Sequence, residues 1–142
     1  MPRLSREAPL YSIWEGSGNV ICLDILRALA REPESVEALL QEFQTVSGND
    51  KRLDSYLSSV QAEVTEKLKQ SLNTGAVADQ GQARRLAEAL ALGLQAALVV
   101  RYSPVSIAEA FLASRIDGDH GYNFGTLPAE MKLDGILDRV IA

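Results

Sequence analysis

The chain has 142 residues, and its 14 Lys plus Arg against 19 Asp plus Glu give a formal charge of -5. One Cys excludes a disulfide framework or a Cys-rich zinc or iron–sulfur site, and one His excludes a multi-His metal centre. The acidic balance argues against nucleic-acid binding by the surface as a whole, and a hydrophobic share of 46% with 23% charged argues against wholesale disorder.

Met1 to Leu10 carries Arg3, Arg6 and Glu7 and has no apolar core of signal-peptide length. Farther on, the longest uncharged apolar stretch is Ala89 to Val100. It has 12 residues and includes Gln95, too few to span a bilayer. The expectation is a soluble cytoplasmic protein.

Helical periodicity runs through nearly the whole chain. The first helix is expected after Gly18, with Asn19 as N-cap, because its side-chain oxygen can accept an orphan backbone N–H. Val20, Leu23, Leu26 and Leu29 recur on one stripe, widened by Ile21 and Ile25, which predicts deep burial. Pro33 starts a second helix carrying Val36, Leu39, Leu40, Phe43 and Val46, and Gly48 ends it. A third opens at Asn49 or Asp50, with Leu53, Leu57, Val60, Val64 and Leu68 on its apolar face. Asn73, Thr74 and Gly75 then read as a turn. A fourth helix, from about Gln80 to Tyr102, is apolar nearly all round beyond Glu88 and rich in small residues, so it is expected at the centre. Pro104 separates it from a fifth, carrying Val105, Ala108, Phe111 and Leu112. Asp117 to Pro128, with three glycines, is a loop, and a last helix from about Lys132 to Ile141 is expected to be broken by Gly135. No segment has a strand period. The predicted fold is all-α, a bundle of five to six helices.

The chemistry-bearing segment is Ser12-Ile13-Trp14-Glu15-Gly16-Ser17-Gly18-Asn19, directly before the first apolar helix. It supports two readings. One is a plain helix start, with glycines for the turn, Ser17 or Asn19 as cap, and Glu15 favoured by the positive end of the helix dipole. The other is a backbone cradle for an anionic ligand, with Glu15 as a general base. Cys22 reads as packing and His120 as a solvated loop residue.

The residues themselves add to this. Arg6-Glu7-Ala8-Pro9, then Ile13-Trp14-Glu15-Gly16-Ser17-Gly18-Asn19-Val20, then Leu23, Leu26 and Arg27, resemble the acyl-CoA dehydrogenase family. That family has a Tyr/Trp-Glu-Gly-Thr/Ser segment opening a helix of its C-terminal bundle. The run Trp14 to Val20 and the tail Tyr122-Asn123-Phe124-Gly125-Thr126-Leu127-Pro128 resemble its AidB-like subgroup, associated with the bacterial response to DNA alkylation.

The resemblance implies oxidation of an acyl-CoA to its 2,3-enoyl-CoA, with FAD as the cofactor. It implies Glu15 as the base that removes the α-proton. Desolvation beside Trp14 would raise the carboxyl pKa toward that task. It implies Gly16 at a close approach of backbone to flavin or thioester, and Ser17 and Asn19 in contact with FAD. Residues 1–32 would be the end of the flavin-site segment with the first bundle helix, and 33–142 the C-terminal bundle, one domain overall. Because family members also have an N-terminal helical domain and a middle β domain, the resemblance implies a C-terminal piece. Such a piece is expected to be inactive alone, to bind FAD weakly or not at all, and to leave an apolar face between Val20 and Leu29. A homo-oligomer is implied for the parent protein. The alternative function is a DNA-binding or oligomerisation module, in which Arg27, Arg84 and Arg85 would meet phosphates.

Overall fold

The structure is a computed structural model and describes residues 2–12, 18–74, 80–123 and 125–141. A short helix α1 (Pro2–Glu7) runs into a 3-10 stretch over Ala8–Ser12. The bundle then comprises α2 (Gly18–Arg31), α3 (Pro33–Gln44), α4 (Lys51–Thr74), α5 (Ala83–Tyr102), α6 (Val105–Phe111) and α7 (Asp134–Ile141). The architecture is all-α, as the periodicity predicts, and no strand occurs among the described residues.

α5 is the hub, packing against α2, α3, α4 and α6. Its sequence explains this. Ala83, Ala87, Gly93, Ala96 and Ala97 are all buried, and small side chains let neighbouring backbones come near. Gly93 is the tightest point: a Cβ there would lie 3.1 Å from Leu57 Cδ2 and 3.1 Å from Phe43 Cζ. Leu53, Leu57, Val60 and Val64 of α4 bury the predicted stripe against α5, while Val36 and Phe43 enter from α3 and Leu26 from α2. Tyr56 lies beside this core. Its hydroxyl donates to Ala89 O at 3.2 Å, and burial first, then Glu88 and Glu63, push its phenol above the ordinary tyrosine range.

The helix ends follow local chemistry. Pro33 is in the first turn of α3. Gly48 turns the chain with φ +83°, and its N–H donates to Asp54 Oδ1 at 3.0 Å. Asp50 caps α4, its Oδ1 accepting from the N–H of Arg52 at 2.8 Å. The Arg52 guanidinium then reaches Asp50 (2.7 Å), Glu109 on α6 (2.9 Å) and Asp117 (3.3 Å), pinning the start of α4 to the distal helices. Arg52 holds the Asp50 carboxyl below the usual carboxylate range, with burial opposing. Beyond α6 the helix widens into a π turn over Leu112–Ile116, where Asp117 N–H bonds to Leu112 O at 3.0 Å.

Several expectations are corrected. α2 is not deeply buried: Leu26 is its buried residue, whereas Val20 and Ile21 are 50% and 38% exposed. Two of its sides are apolar, but only one finds a partner in α5. Asn73 and Thr74 belong to α4 and do not form a turn, since the helix continues through Thr74. Asn19 lies inside the first turn of α2, not ahead of it, because the helix already includes Gly18. Gly135 does not break α7; it sits in the first turn, where a Cβ would come 2.6 Å from Ser106 Oγ. Its role is close approach to α6. Among the described residues no helix is long and apolar enough to cross a membrane.

Candidate functional site

Glu15, Gly16 and Ser17 lie outside the described residues. What is described is the first turn of α2, which follows them in the sequence, and the facing start of α5.

Asn19 and Arg84 are brought together there from 65 positions apart. Arg84 Nε donates to Asn19 Oδ1 at 2.5 Å. Arg84 is the second residue of α5, which is led in by a 3-10 turn over Gln80–Gln82. Its guanidinium also flanks Gly18, where a Cβ would meet Nη2 at an ordinary 3.9 Å. An open cleft of about 320 Å³ lies between the helices, lined by Asn19, Cys22, Leu23, Gly81, Ala83 and Arg84.

The donor chemistry of this cleft is one-sided. Arginine only donates, so the Asn19 amide must present its oxygen to it. That leaves the Asn19 NH2 and the two Arg84 Nη groups as further donors. Among the described residues Arg84 pairs with no carboxylate. The positive end of the α2 dipole adds to the Arg84 charge at the same place. Such a donor set fits an acceptor-rich, negatively charged group, such as the phosphates of a dinucleotide.

The other candidates fall elsewhere. Arg27 is exposed on α2 and ion-paired with Asp24. Arg85 is exposed beside Arg84 at the start of α5. Cys22 is half-buried on α2 at the lip of the cleft. His120 is exposed in the glycine-rich loop, its Nδ1 2.8 Å from Gly121 O. A second open cleft, of about 340 Å³, is lined by Ser114, Arg115 and loop residues 120–123 and 125–127. Among the described residues no group of three or more His, Cys, Asp or Glu could hold a metal ion.

Sequence reasoning assigned Asn19 and Arg84 to different roles and did not foresee their contact. The only available signal was an arginine at the start of a predicted helix, which says nothing about what faces it.

Two curated proteins are similar to this chain. AidB of Escherichia coli (strain K12), named as an acyl-CoA dehydrogenase, is 42% identical over 64 residues, covering 45% of this chain and 12% of AidB. Acyl-CoA dehydrogenase family member 11 of Caenorhabditis elegans is 34% identical over 70 residues, covering 49% of this chain and 11% of that protein. The chain therefore matches about an eighth or less of the length of each relative. No family model and no solved structure matches it. The chain is similar to part of an acyl-CoA dehydrogenase, with the higher identity to AidB.

Proposed function

We propose that this chain forms the C-terminal helical side of the flavin site in an FAD-dependent acyl-CoA dehydrogenase of the AidB-like kind. The observation that carries the reading is the meeting of Asn19 with Arg84 over an open cleft at the first turn of α2, the helix that directly follows Trp14–Ser17 in the sequence. The similarity to two acyl-CoA dehydrogenases supports it.

In this reading Glu15 takes the α-proton of the acyl thioester. FAD, when bound, supplies the hydride acceptor. Asn19 and Ser17 hold the cofactor from its polar side, and Gly16 keeps the backbone free of a side chain where the two approach. Holding the reacting groups in register is the contribution of the bundle, since α2 is fixed by its packing on α5. Without the rest of the site the isolated chain neither turns over acyl-CoA nor holds FAD tightly.

The test is Glu15→Gln in the complete protein. Loss of a positioned general base lowers dehydrogenation of an acyl-CoA by about 10²–10⁴-fold. The yellow flavin absorbance remains, because the amide preserves shape and leaves the cofactor contacts in place. Unchanged turnover would remove Glu15 from the mechanism.

The DNA-binding alternative finds less support. Arg27 is ion-paired with Asp24 on α2 and stands apart from the Arg84 cleft.

A further inference from the structure

We infer that Arg84 is a positioning residue for the cofactor's diphosphate, acting through Asn19. The inference rests on the flavin-site reading above and adds to it a residue from a distant part of the chain.

A carboxamide can be turned either way round, and its two ends have opposite chemistry. An asparagine left to itself at a helix start can present oxygen or nitrogen to whatever approaches. Arg84 removes that freedom. Its Nε–H takes Asn19 Oδ1 at 2.5 Å, so the amide nitrogen becomes the end offered to a ligand. A nitrogen donor suits phosphate oxygens, which only accept. The wrong orientation would set an amide oxygen against phosphate and repel it.

The placement of Arg84 fits this task. It is held by α5, the best-buried helix of the bundle, through Ala83 and Leu86 on either side of it, while its own side chain stays exposed. A flexible head on a fixed base can grip Asn19 without being part of the core. Its Nη2 lies alongside Gly18, on the same side as Asn19. Asp24 and Arg27 face each other farther along α2, so neither diverts Arg84.

The experiment is a double-mutant cycle on the complete protein stripped of flavin. FAD and riboflavin are titrated separately, reading flavin fluorescence, into wild type, Arg84→Gln, Asn19→Ala and the double variant. Riboflavin shares the ring system and has no phosphate. Each single variant is expected to lose about ten- to a hundredfold in FAD affinity, and the double variant to lose no more than either. Riboflavin affinity is expected to stay the same in all four. A second test replaces Asn19 by Asp. The new carboxylate keeps Arg84 in an ion pair, so thermal stability is retained while FAD affinity falls. Additive losses in the cycle would mean that Arg84 does not act through Asn19. FAD affinity unchanged in Arg84→Gln would overturn the inference and leave the flavin-site reading standing. A wild-type protein that binds neither flavin would overturn both. Exposed Arg84 and Asn19 are outside the core, and a melting curve of each variant confirms that the bundle is intact.

Discussion

At the scale of single residues, Gly93 shows how the packing of α5 decides what is tolerated. Replacing an interior helical glycine by alanine ordinarily adds about 0.5–1 kcal/mol of stability. Here the new methyl would stand 3.1 Å from both Leu57 and Phe43, two buried side chains with little room to retreat. Overpacking of that kind costs about 1–3 kcal/mol. Gly93→Ala is therefore expected to be net destabilising by about 1 kcal/mol, a fall of ~2–8 °C in Tm by calorimetry. A rise in Tm would show that Phe43 and Leu57 can move aside. From sequence, Gly93 is visible only as one small residue in an apolar run. That it faces two large side chains depends on how α3 and α4 meet α5. The same limit applies to Arg52. Its bond with Asp50 is local and could be read as a cap, but Glu109 and Asp117 lie 57 and 65 positions away.

At the scale of elements, the Asp50–Arg52 pair makes the junction of α4 with α6 sensitive to acid. Arg52 lowers the Asp50 pKa in the folded state, so ionised Asp50 favours folding. That contribution is complete above the unfolded aspartate value, near 4, and is lost as pH falls through the lowered folded value. Asp50→Asn keeps a good capping residue and removes the charge. The variant is expected to be about 1 kcal/mol less stable at pH 7 by urea unfolding and to show a flatter decline between about pH 5 and pH 2. Equal slopes in the two proteins would mean that Asp50 does not carry the acid response. The elements themselves were largely legible. The Val36–Phe43 and Leu53–Val64 stripes and the Pro33 start appear where periodicity and backbone chemistry put them, while α3 ends at Gln44, capped at Thr45, and Gly48 turns the chain beyond it instead of ending the helix. α2 was misjudged because hydrophobicity reports what a helix can bury, and not how many neighbours it has.

At the scale of the whole molecule, the uncovered side of α2 has a measurable outcome. Val20 and Ile21 are exposed on α2, and Leu4 and Leu10 are exposed near the N-terminus. Apolar surface of this kind drives association. The isolated chain is expected to elute at increasing apparent mass as its concentration rises. Gln at both Val20 and Ile21 is expected to hold it monomeric in light scattering. A wild-type chain that stays monomeric throughout would show that this side needs no cover. The candidate site was legible only in part. The Trp14–Asn19 run draws attention as a candidate, whereas Arg84, which meets Asn19, stands 65 positions farther along the chain.

The central place of α5 also sets a schedule for synthesis. Every earlier bundle helix waits for a partner that the ribosome makes afterwards. When Thr74 has been added, another 28 residues are needed to reach Tyr102 and finish α5. At about 5–20 residues per second, that is on the order of a few seconds. During this interval the apolar stripes of α2, α3 and α4 lack the α5 surface that buries them. A nascent chain stalled before Ala83 would be left in that state.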